Sequence, residues 1–444
     1  MKPSPPLLVL LLLAPSLDAQ SPAEPRPAPD AGEPATTPGH GIAIRTGAWS
    51  LGVHGSATFG TSRQGGPRGE RSEVLTSMAS LVASRPLGGG LLALRAMTSI
   101  DPVLGADGYP LLLQTGESVD GLTPLRDRQH PHDFVAELGA SYRHRLDPEL
   151  DGFVYLAAVG APALGPVPYF HRASGAIIPE APIGHHLHDA THISHGVLTV
   201  GVVSQGKVTI EGSLFNGREP DGDRWDIDEI RFDSYAVRAT VALGPRWAVQ
   251  ASGGVLSQPE RLHPTINQVR LSGSITHSHP LAGGHWQTTL AVGRGLSQRR
   301  EILLSEAQRI FPPTVLAHYT SLVGETGLPA DSLYLVFPSK TRTGLLLEST
   351  LTLGRTSLAT RLERVAKDEL FDPTDLRHSR IFSVSKASVA LLQRLPIAGS
   401  LAFGVGGLVG VHLLPSEIRA DYGGTPLSYQ LFTRLELWGA GGHH

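Results

Sequence analysis

The sequence predicts an all-β fold: a closed, antiparallel, up-and-down transmembrane β-barrel of about 16 strands, with short periplasmic turns and long outer loops. Three observations predict it. Apolar and polar residues alternate at period two in one segment after another. The number of segments is even, which places both chain ends on the same side of the wall. Short and long connections also alternate, as they do in outer-membrane barrels, whereas a soluble β-sandwich has no reason to keep that parity.

The strand segments are identified by the side chains that would face lipid and lumen. In the segment near residue 207, Ile210 and Leu214 share one face and Glu211 takes the other, because successive strand side chains point in opposite directions. The segments start near residues 47, 73, 90, 133, 152, 194, 207, 231, 246, 268, 285, 342, 356, 380, 398 and 427. The charged residues expected to point inward are Lys207, Glu211, Arg238, Arg270, Glu348, Arg361, Glu363, Arg434 and Glu436. This mixed charge predicts an aqueous lumen.

The connections between segments are of two kinds. Those after even-numbered segments are short, for example Gly244-Pro245 and Gly354-Arg355. Those after odd-numbered segments are long and include residues 100–132, 160–193 and 295–341. We therefore assign the short connections to the periplasmic side and the long ones to the outer side.

The chain ends differ from the barrel in composition. Residues 1–19 contain one basic residue, an apolar run and a small residue at the predicted cleavage point, which is typical of a secretory signal peptide. Residues 20–45 are predicted to be a Pro/Ala-rich disordered linker, 46–438 the transmembrane barrel and 439–444 a short tail. The amphipathic last strand is similar to the C-terminal signal that outer-membrane assembly machinery recognises. The predicted partners are that machinery and outer-membrane lipid.

The composition argues against several function classes. The 444 residues include no Cys, which removes disulfides and thiolate chemistry, and the net charge of -3 provides no field to attract nucleic acid. There is no GxSxG elbow, P-loop or dinucleotide-binding motif in its required context. We therefore predict that the protein is not an enzyme. An outer-membrane hydrolase that uses Ser194 with His192 or His195 is the alternative.

Histidines are concentrated in two of the long loops. Nine of the 20 His lie between residues 130 and 195. Imidazoles with nearby carboxylates suit Zn²⁺ or Cu²⁺. The candidate metal ligands are His130, His132, Asp133, His185, His186, Asp189 and His192. If residues 186–193 form a short helix, His188 and His192 lie one turn apart. The alternative is that these residues form a hydrogen-bonded plug that narrows the barrel and needs no metal.

Charged residues in and beside the loops predict a polar network at the mouth of the lumen, because Arg guanidinium groups match carboxylates bidentately. Its predicted members are Glu137, Glu180, Arg218, Glu219, Arg224 and Glu260. In the strand expected to open at Phe134, Asp133 and Glu137 should face the lumen, and Ala136 the opposite side. Residues 221–226 are rich in Asp but lack the remaining ligands of an EF-type calcium loop, so structural bridging is the favoured interpretation.

Five short motifs carry a family resemblance. They are RQHPHD (128–133), PEAPIGHH (179–186), DATHIS (189–194), FNGREPD (215–221) with Arg224-Trp225, and PERLHP (259–264). The chain resembles, most specifically over residues 109–265, a family of uncharacterised bacterial outer-membrane β-barrel proteins. The resemblance implies the fold and the compartment, but no substrate and no catalytic residues. At Leu187 and His188 the chain departs from the family pattern, so the resemblance does not support His188 as a ligand.

The sequence thus favours a porin-like channel for small hydrated solutes, with outer loops that constrict the lumen. The first alternative is a metal-binding or metal-handling outer-membrane protein that uses the histidine-rich loops, with Zn or Cu as the bound ion. The others are a structural barrel whose lumen is sealed by ion pairs, and the hydrolase named above.

Overall fold

The computed structural model describes residues 41–437 apart from 121–122, 312–315, 317–331 and 373–374. Sixteen long strands form one closed antiparallel sheet, in which each strand pairs with its neighbours along the chain. They are β1 (Trp49–Gln64), β2 (Arg71–Leu87), β3 (Gly90–Thr98), β4 (Val135–Asp147), β5 (Leu150–Gly160), β6 (Ser194–Ser204), β7 (Val208–Phe215), β8 (Ser234–Ala242), β9 (Trp247–Leu256), β10 (Gln268–Leu281), β11 (Gly284–Ser297), β12 (Lys340–Leu353), β13 (Thr356–Lys367), β14 (Phe382–Ala398), β15 (Leu401–Leu413) and β16 (Leu427–Leu437).

The barrel closes where the last strand meets the first. Ser428–Glu436 of β16 pairs with Ser56–Gln64 of β1. A short strand, Ile42–Thr46, pairs with the start of β1 beyond the end of β16. The predicted signal peptide, most of the linker and the tail lie outside the described residues. Every predicted strand start lies within three residues of the observed one, which confirms the predicted barrel.

The loops contain the remaining elements. Among the described residues, the helices are α1 (His185–His188), α2 (Leu304–Ile310) and α3 (Ser416–Arg419), with 3-10 turns at Asp101–Leu104, Ala190–His192 and Ala420–Tyr422. Short strand pairs join Tyr109–Pro110 to Arg128–Gln129, Glu117–Ser118 to Pro124–Leu125, and Arg300–Leu303 to Tyr334–Phe337. No helix among the described residues is long and apolar enough to cross a lipid bilayer.

The connections keep the predicted parity. Short turns follow the even-numbered strands, and at positions such as Gly244 (φ 79°) and Gly283 (φ 76°) they use the left-handed conformation that glycine adopts without a steric cost. The connections after odd-numbered strands are numbered L1 to L8. They are L1 (65–70), L2 (99–134), L3 (161–193), L4 (216–233), L5 (257–267), L6 (298–339), L7 (368–381) and L8 (414–426). Only L1 among them is as short as a turn.

The two faces of the wall differ as the alternation predicts. Ile210, Leu271 and Leu290 are about half exposed on the outside, whereas Glu348 and Arg361 are fully buried on the inside. Eight of the nine charged residues expected inside are on the inner face. Lys207 is the exception, and its assignment to the wall was wrong. It is exposed in the turn after Gln205 and Gly206, both at positive φ, and β7 begins only at Val208.

The start of β4 also differs from the expectation. Asp133 precedes the strand, which begins at Val135. The pairing with β3 shifts register between Thr98 and Met97, so Ala136 is an extra residue in a β-bulge. Ala136 is buried on the inner side, where it packs with Met97 and with Ile193 of L3. It therefore does not take the face opposite to Glu137.

Loops fill much of the lumen. Residues of L2, L3, L7 and L8 pack with inward-facing wall residues in one apolar cluster that includes Leu112, Ile183, Phe371, Val384 and Tyr422. A second cluster lies between Ile177 and Ile178 of L3 and the wall residues Ala390, Leu408 and Phe432. The loops therefore form a packed interior against the wall, and L3 contributes to both clusters.

Candidate functional site

L3 is anchored to the wall by buried ion pairs. Glu348 of β12 accepts from Arg172 of L3 at 2.5 Å and from Arg361 of β13 at 2.7 Å. Arg172 also contacts Asp189 at 3.2 Å. All four side chains are at most 3% exposed. Buried charges are costly unless they are paired, so these groups stabilise one position of L3 only while the set is complete.

A second anchor involves Glu180. Its carboxylate accepts from Lys386 Nζ at 2.5 Å and from Gln430 Nε2 at 3.2 Å. Its backbone carbonyl accepts from Arg361 at 2.7 Å. Four residues further on, the backbone N–H of Gly184 donates to Glu363 at 3.1 Å. L3 thus supplies partners to charged wall residues on β13 and β14.

Hydrogen bonds to hydroxyl and backbone groups also join L3 to strands around the barrel. They include Thr76 to the Pro179 carbonyl, Ala163 N–H to Ser213, Gly165 N–H to Ser252, Ser174 to Thr289, Thr350 to the Ser174 carbonyl, and Arg434 to the Ala176 carbonyl. The wall partners belong to β2, β7, β9, β11, β12 and β16. L3 therefore crosses the lumen and forms a plug.

The expected single helix over 186–193 is not what forms. α1 ends at His188, Asp189 leaves the helical region (φ -145°, ψ 22°), and a separate 3-10 turn contains His192. The break turns His188 away from His192. His188 lies against the wall glycines Gly293 and Gly344, and neither of its ring nitrogens has a hydrogen-bond partner among the described residues.

Three of the predicted histidines come together. The ring of His192 lies 5.3 Å from that of His132 and 6.0 Å from that of His185, between centroids. Each ring has its Nδ1 beside an oxygen: His132 at 2.8 Å from Asp101, His192 at 2.6 Å from the Asp189 carbonyl, and His185 at 3.4 Å from the Asp189 carboxylate. Tyr169 packs against all three rings.

The other predicted ligands surround this cluster in different ways. His130 stacks on His185 at 6.1 Å and lines the same small cavity as the three rings. Asp133 lines it too, but its carboxylate contacts Arg224 at 3.0 Å and His195 at 3.5 Å. Asp189 holds His185 and Arg172. His186 points instead to a second cavity, which Glu260 and Arg342 also line.

The residues of the predicted polar network form several separate contacts and do not make one connected network. Glu137 accepts from Tyr155 at 2.8 Å, and Arg218 donates to Gln258 at 2.9 Å. The remaining contacts are Glu219 with Arg270 at 3.5 Å, Arg224 with Asp133 at 3.0 Å, and Glu260 with Arg342 at 3.1 Å and Gln268 at 2.7 Å. These pairs tie L4 and L5 to the wall and to the end of L2.

Two clusters of closely spaced carboxylates lie nearby. Glu260, His263 and Glu369 have potential ligand atoms within 4.8 Å of one another, but Arg342 and Lys340 are in contact with these acids. The other cluster is Asp221, Asp226 and Asp228 in L4, where Arg261 contacts Asp221 at 3.0 Å and Asp228 at 3.6 Å. In both clusters the charges are bridged by cations of the chain itself.

Burial sets the charge state of the histidines in the plug. Desolvation, with the neighbouring His132, lowers the pKa of His192 to about 3, and desolvation lowers that of His188 to about 4. Burial alone would raise the pKa of Asp189, but the hydrogen bond from His185 and the charge of Arg172 lower it overall. At neutral pH the plug therefore contains neutral imidazoles beside an ionised carboxylate.

Sequence reasoning missed Asp101, Tyr169 and Arg172. Asp101 accepts from His132 and also from the Ser77 N–H at 2.6 Å, and Arg172 contacts a carboxylate 176 residues away. Neither lies in a recognisable local pattern. The one available signal for Arg172 is that residues 161–193 contain no other Arg and no Lys.

Comparison with known proteins agrees with the architecture. No protein-family model matches the chain, and no curated protein matches it in sequence. Among solved structures, the chain is similar to the anion-selective porin from Comamonas acidovorans, with a TM-score of 0.51 and 9% identity over 87% of this chain and 99% of that one. A complex of Salmonella typhi OmpF with daunomycin matches with a TM-score of 0.48 and 10% identity, over 89% and 100% of the two chains.

At such low identity, the Comamonas porin supports the fold alone. The compartment follows from the wall itself, because a closed sheet with an apolar outer face and a polar inner face satisfies every backbone group within a bilayer. The protein is a sixteen-stranded β-barrel of the bacterial outer membrane, and L3 plugs its lumen.

Proposed function

We propose that the protein is a porin-like channel for small hydrated solutes, and that L3 constricts it. The observation that carries the proposal is how L3 is attached in mid-barrel. Its anchors there are ion pairs and hydrogen bonds to a charged inner wall, such as Arg172 to Glu348 and Lys386 to Glu180. Water can replace these ion pairs and hydrogen bonds when L3 shifts, because their partners on the wall are polar. The apolar contacts of Ile177 and Ile178 with the wall would have to separate as well.

The charges of the inner wall fit such a path. Glu211 and Arg238 pair at 2.8 Å, and Arg394, Arg434 and Glu436 form another group on the inner face. Both signs are present at similar depth, so the proposed channel favours neither cations nor anions strongly. The solutes it suits are hydrated and small.

The local geometry gives no support to the hydrolase alternative. Ser194 donates to the Thr191 carbonyl at 3.0 Å, rather than to an imidazole. His195 is engaged by Asp133, by Asp228 and by the Asp228 N–H. A nucleophilic serine requires a base within hydrogen-bonding distance. We therefore propose no catalytic role.

A disulfide lock tests the channel. Ser174 of L3 and Thr289 of β11 have hydroxyl oxygens 2.7 Å apart, so cysteines at these positions are within bonding reach, and the native chain has no Cys to interfere. The variant Ser174→Cys, Thr289→Cys should conduct in planar bilayers when reduced and lose most of its open-state current when oxidised.

The matched control places the disulfide within the wall. Thr352 and Ser357 are paired across β12 and β13, with hydroxyls 2.8 Å apart. Oxidation of Thr352→Cys, Ser357→Cys should leave the current unchanged. Absence of conductance in the wild type and in both reduced variants would contradict the channel and favour a sealed structural barrel.

A further inference from the structure

The plug contains a set of imidazoles prepared for a ligand. His132 in L2 and His185 and His192 in L3 meet around a cavity of about 20 Å³, which is room for an ion or a single water molecule. The Nε2 atoms of His185 and His192 are buried and have no hydrogen-bond partner among the described residues. An unpartnered buried nitrogen costs free energy, so its retention requires a reason.

The contacts of Nδ1, on the opposite side of each ring, indicate that the reason is a ligand bound at Nε2. A histidine that binds a metal through Nε2 usually donates its Nδ1 hydrogen to a carboxylate or a carbonyl, which fixes the tautomer and the orientation of the ring. All three rings have an oxygen beside Nδ1: the Asp101 carboxylate, the Asp189 carboxylate and the Asp189 carbonyl. The Nε2 atoms of His185 and His192 are then available, whereas Nε2 of His132 lies 3.5 Å from the Tyr169 hydroxyl, which must turn away when an ion binds.

We propose that His132, His185 and His192 form a binding site for a divalent transition-metal ion of the Zn²⁺ or Cu²⁺ class, with a fourth coordination position facing the cavity. Three imidazoles with one open position are a ligand set that such ions accept. The proposal goes beyond the proposed channel and does not depend on it, because a barrel that conducts nothing could bind the ion equally well.

The three imidazoles lie too far apart in this structure to coordinate one ion together. Among the described residues, this trio is not one of the sets whose ligand atoms all lie within 4.8 Å of one another. Nitrogen ligands of one zinc ion lie roughly 3.3 Å apart, because each Zn–N bond is about 2.0 Å long. Binding therefore draws the rings together. Since His132 belongs to L2 and the other two to L3, the bound ion cross-links the two loops in the lumen.

Asp133 is an unsuitable fourth ligand because Arg224 and His195 already hold its carboxylate. Arg224 also lines the cavity, so one cation is already present near the open position. An exchangeable water or a small anion is the expected fourth ligand. The ion would then be held by neutral imidazole nitrogens. The carboxylates of Asp101 and Asp189, on the Nδ1 side of the rings, would compensate its positive charge.

The test is metal binding to the refolded full chain, measured by calorimetry with Zn²⁺ and by electron paramagnetic resonance with Cu²⁺. The wild type should bind one ion with a spectrum that shows nitrogen ligands. His192→Gln should weaken binding at least 100-fold. Asp101→Asn, at a positioning residue, should weaken it by about 10- to 100-fold and alter the Cu²⁺ spectrum.

The control is His188→Gln, in α1 with the proposed ligand His185 but with its ring against the wall glycines, and it should bind as the wild type does. Folding of each variant is checked by its migration on unboiled gels. A wild-type Kd weaker than about 100 μM, which corresponds to only about 5 to 6 kcal/mol, would overturn the proposal. So would equal affinity in the His192→Gln and His188→Gln variants, since the ion would then bind elsewhere among the histidines.

Discussion

At the residue scale, the position of the plug depends on two wall glycines. Gly293 of β11 and Gly344 of β12 are direct partners in the sheet, and α1 lies against both. A Cβ atom at Gly293 would approach the Leu187 carbonyl oxygen to 2.2 Å, so backbone must move. At Gly344 the nearest atoms belong to side chains, with His188 Nε2 at 3.0 Å, and these can adjust more easily.

We therefore expect Gly293→Ala to displace α1 and loosen the plug. The measurement is trypsin cleavage after Arg172, which is 3% exposed in the closed state. Cleavage should be at least tenfold faster in the variant, which corresponds to about 1.4 kcal/mol of plug stability. Gly273→Ala in β10 is the control, because its nearest neighbour would be 3.7 Å away. Equal cleavage rates in the two variants would show that α1 does not depend on this contact.

His188 makes the plug sensitive to acid. Its pKa of about 4 lies below the 6.5 of an exposed imidazole because burial disfavours the charged form, against the partly compensating charge of Asp189. The neutral, buried ring of His188 therefore contributes fully to the stability of the plug above pH 6.5, and this contribution is lost as the pH falls towards 4. Between pH 7 and pH 5 this one group should destabilise the closed plug by about 2 kcal/mol.

Hydrogen exchange of residues 161–193, corrected for the intrinsic effect of pH, measures this loss. His188→Gln should reduce the pH dependence without abolishing it, because the pKa of His192 is lowered as well. An unchanged dependence in the variant would assign the acid sensitivity to other groups.

At the scale of elements, L3 and the wall stabilise each other through charges far apart in sequence. Period-two alternation is a local signal, so all the barrel strands could be predicted. The pair Arg172–Glu348 spans 176 residues and leaves no local pattern, and only the inward orientation of Glu348 could be predicted. The cluster of His132, His185 and His192 was partly predictable from composition. The break at Asp189, which separates His188 from it, was not.

Replacement of Glu348, which accepts hydrogen bonds from both Arg172 and Arg361, should show how strongly L3 and the wall stabilise each other. Glu348→Gln leaves Arg361 buried without its carboxylate partner and Arg172 with Asp189 alone, so we expect a loss of about 3 to 5 kcal/mol in the free energy of unfolding. Urea titration of the barrel in lipid vesicles provides the measurement. Glu229→Gln breaks an exposed pair with Arg231 and should have no measurable effect. Equal losses in both variants would contradict the coupling.

At the scale of the whole molecule, the wall separates lipid from a largely filled interior. Leu271 is 47% exposed on the outer face of β10, and its neighbour Ser272 is half-buried on the inner face. Leu271→Arg should destabilise the barrel by about 2 to 4 kcal/mol, because the cation would enter lipid. Ser272→Arg should cost less in the same refolding titration. A larger cost for Ser272→Arg would mean that the inner face has no water near this position.

The distribution of plug contacts also constrains the order of assembly. L3 is bonded to β16 through Arg434, across 258 residues, and to β2 through Thr76. These strands flank the seam where β16 pairs with β1. We therefore expect L3 to take its place before the last strands pair, because its final contacts lie on both sides of the seam. Such long-range dependence predicts slow folding.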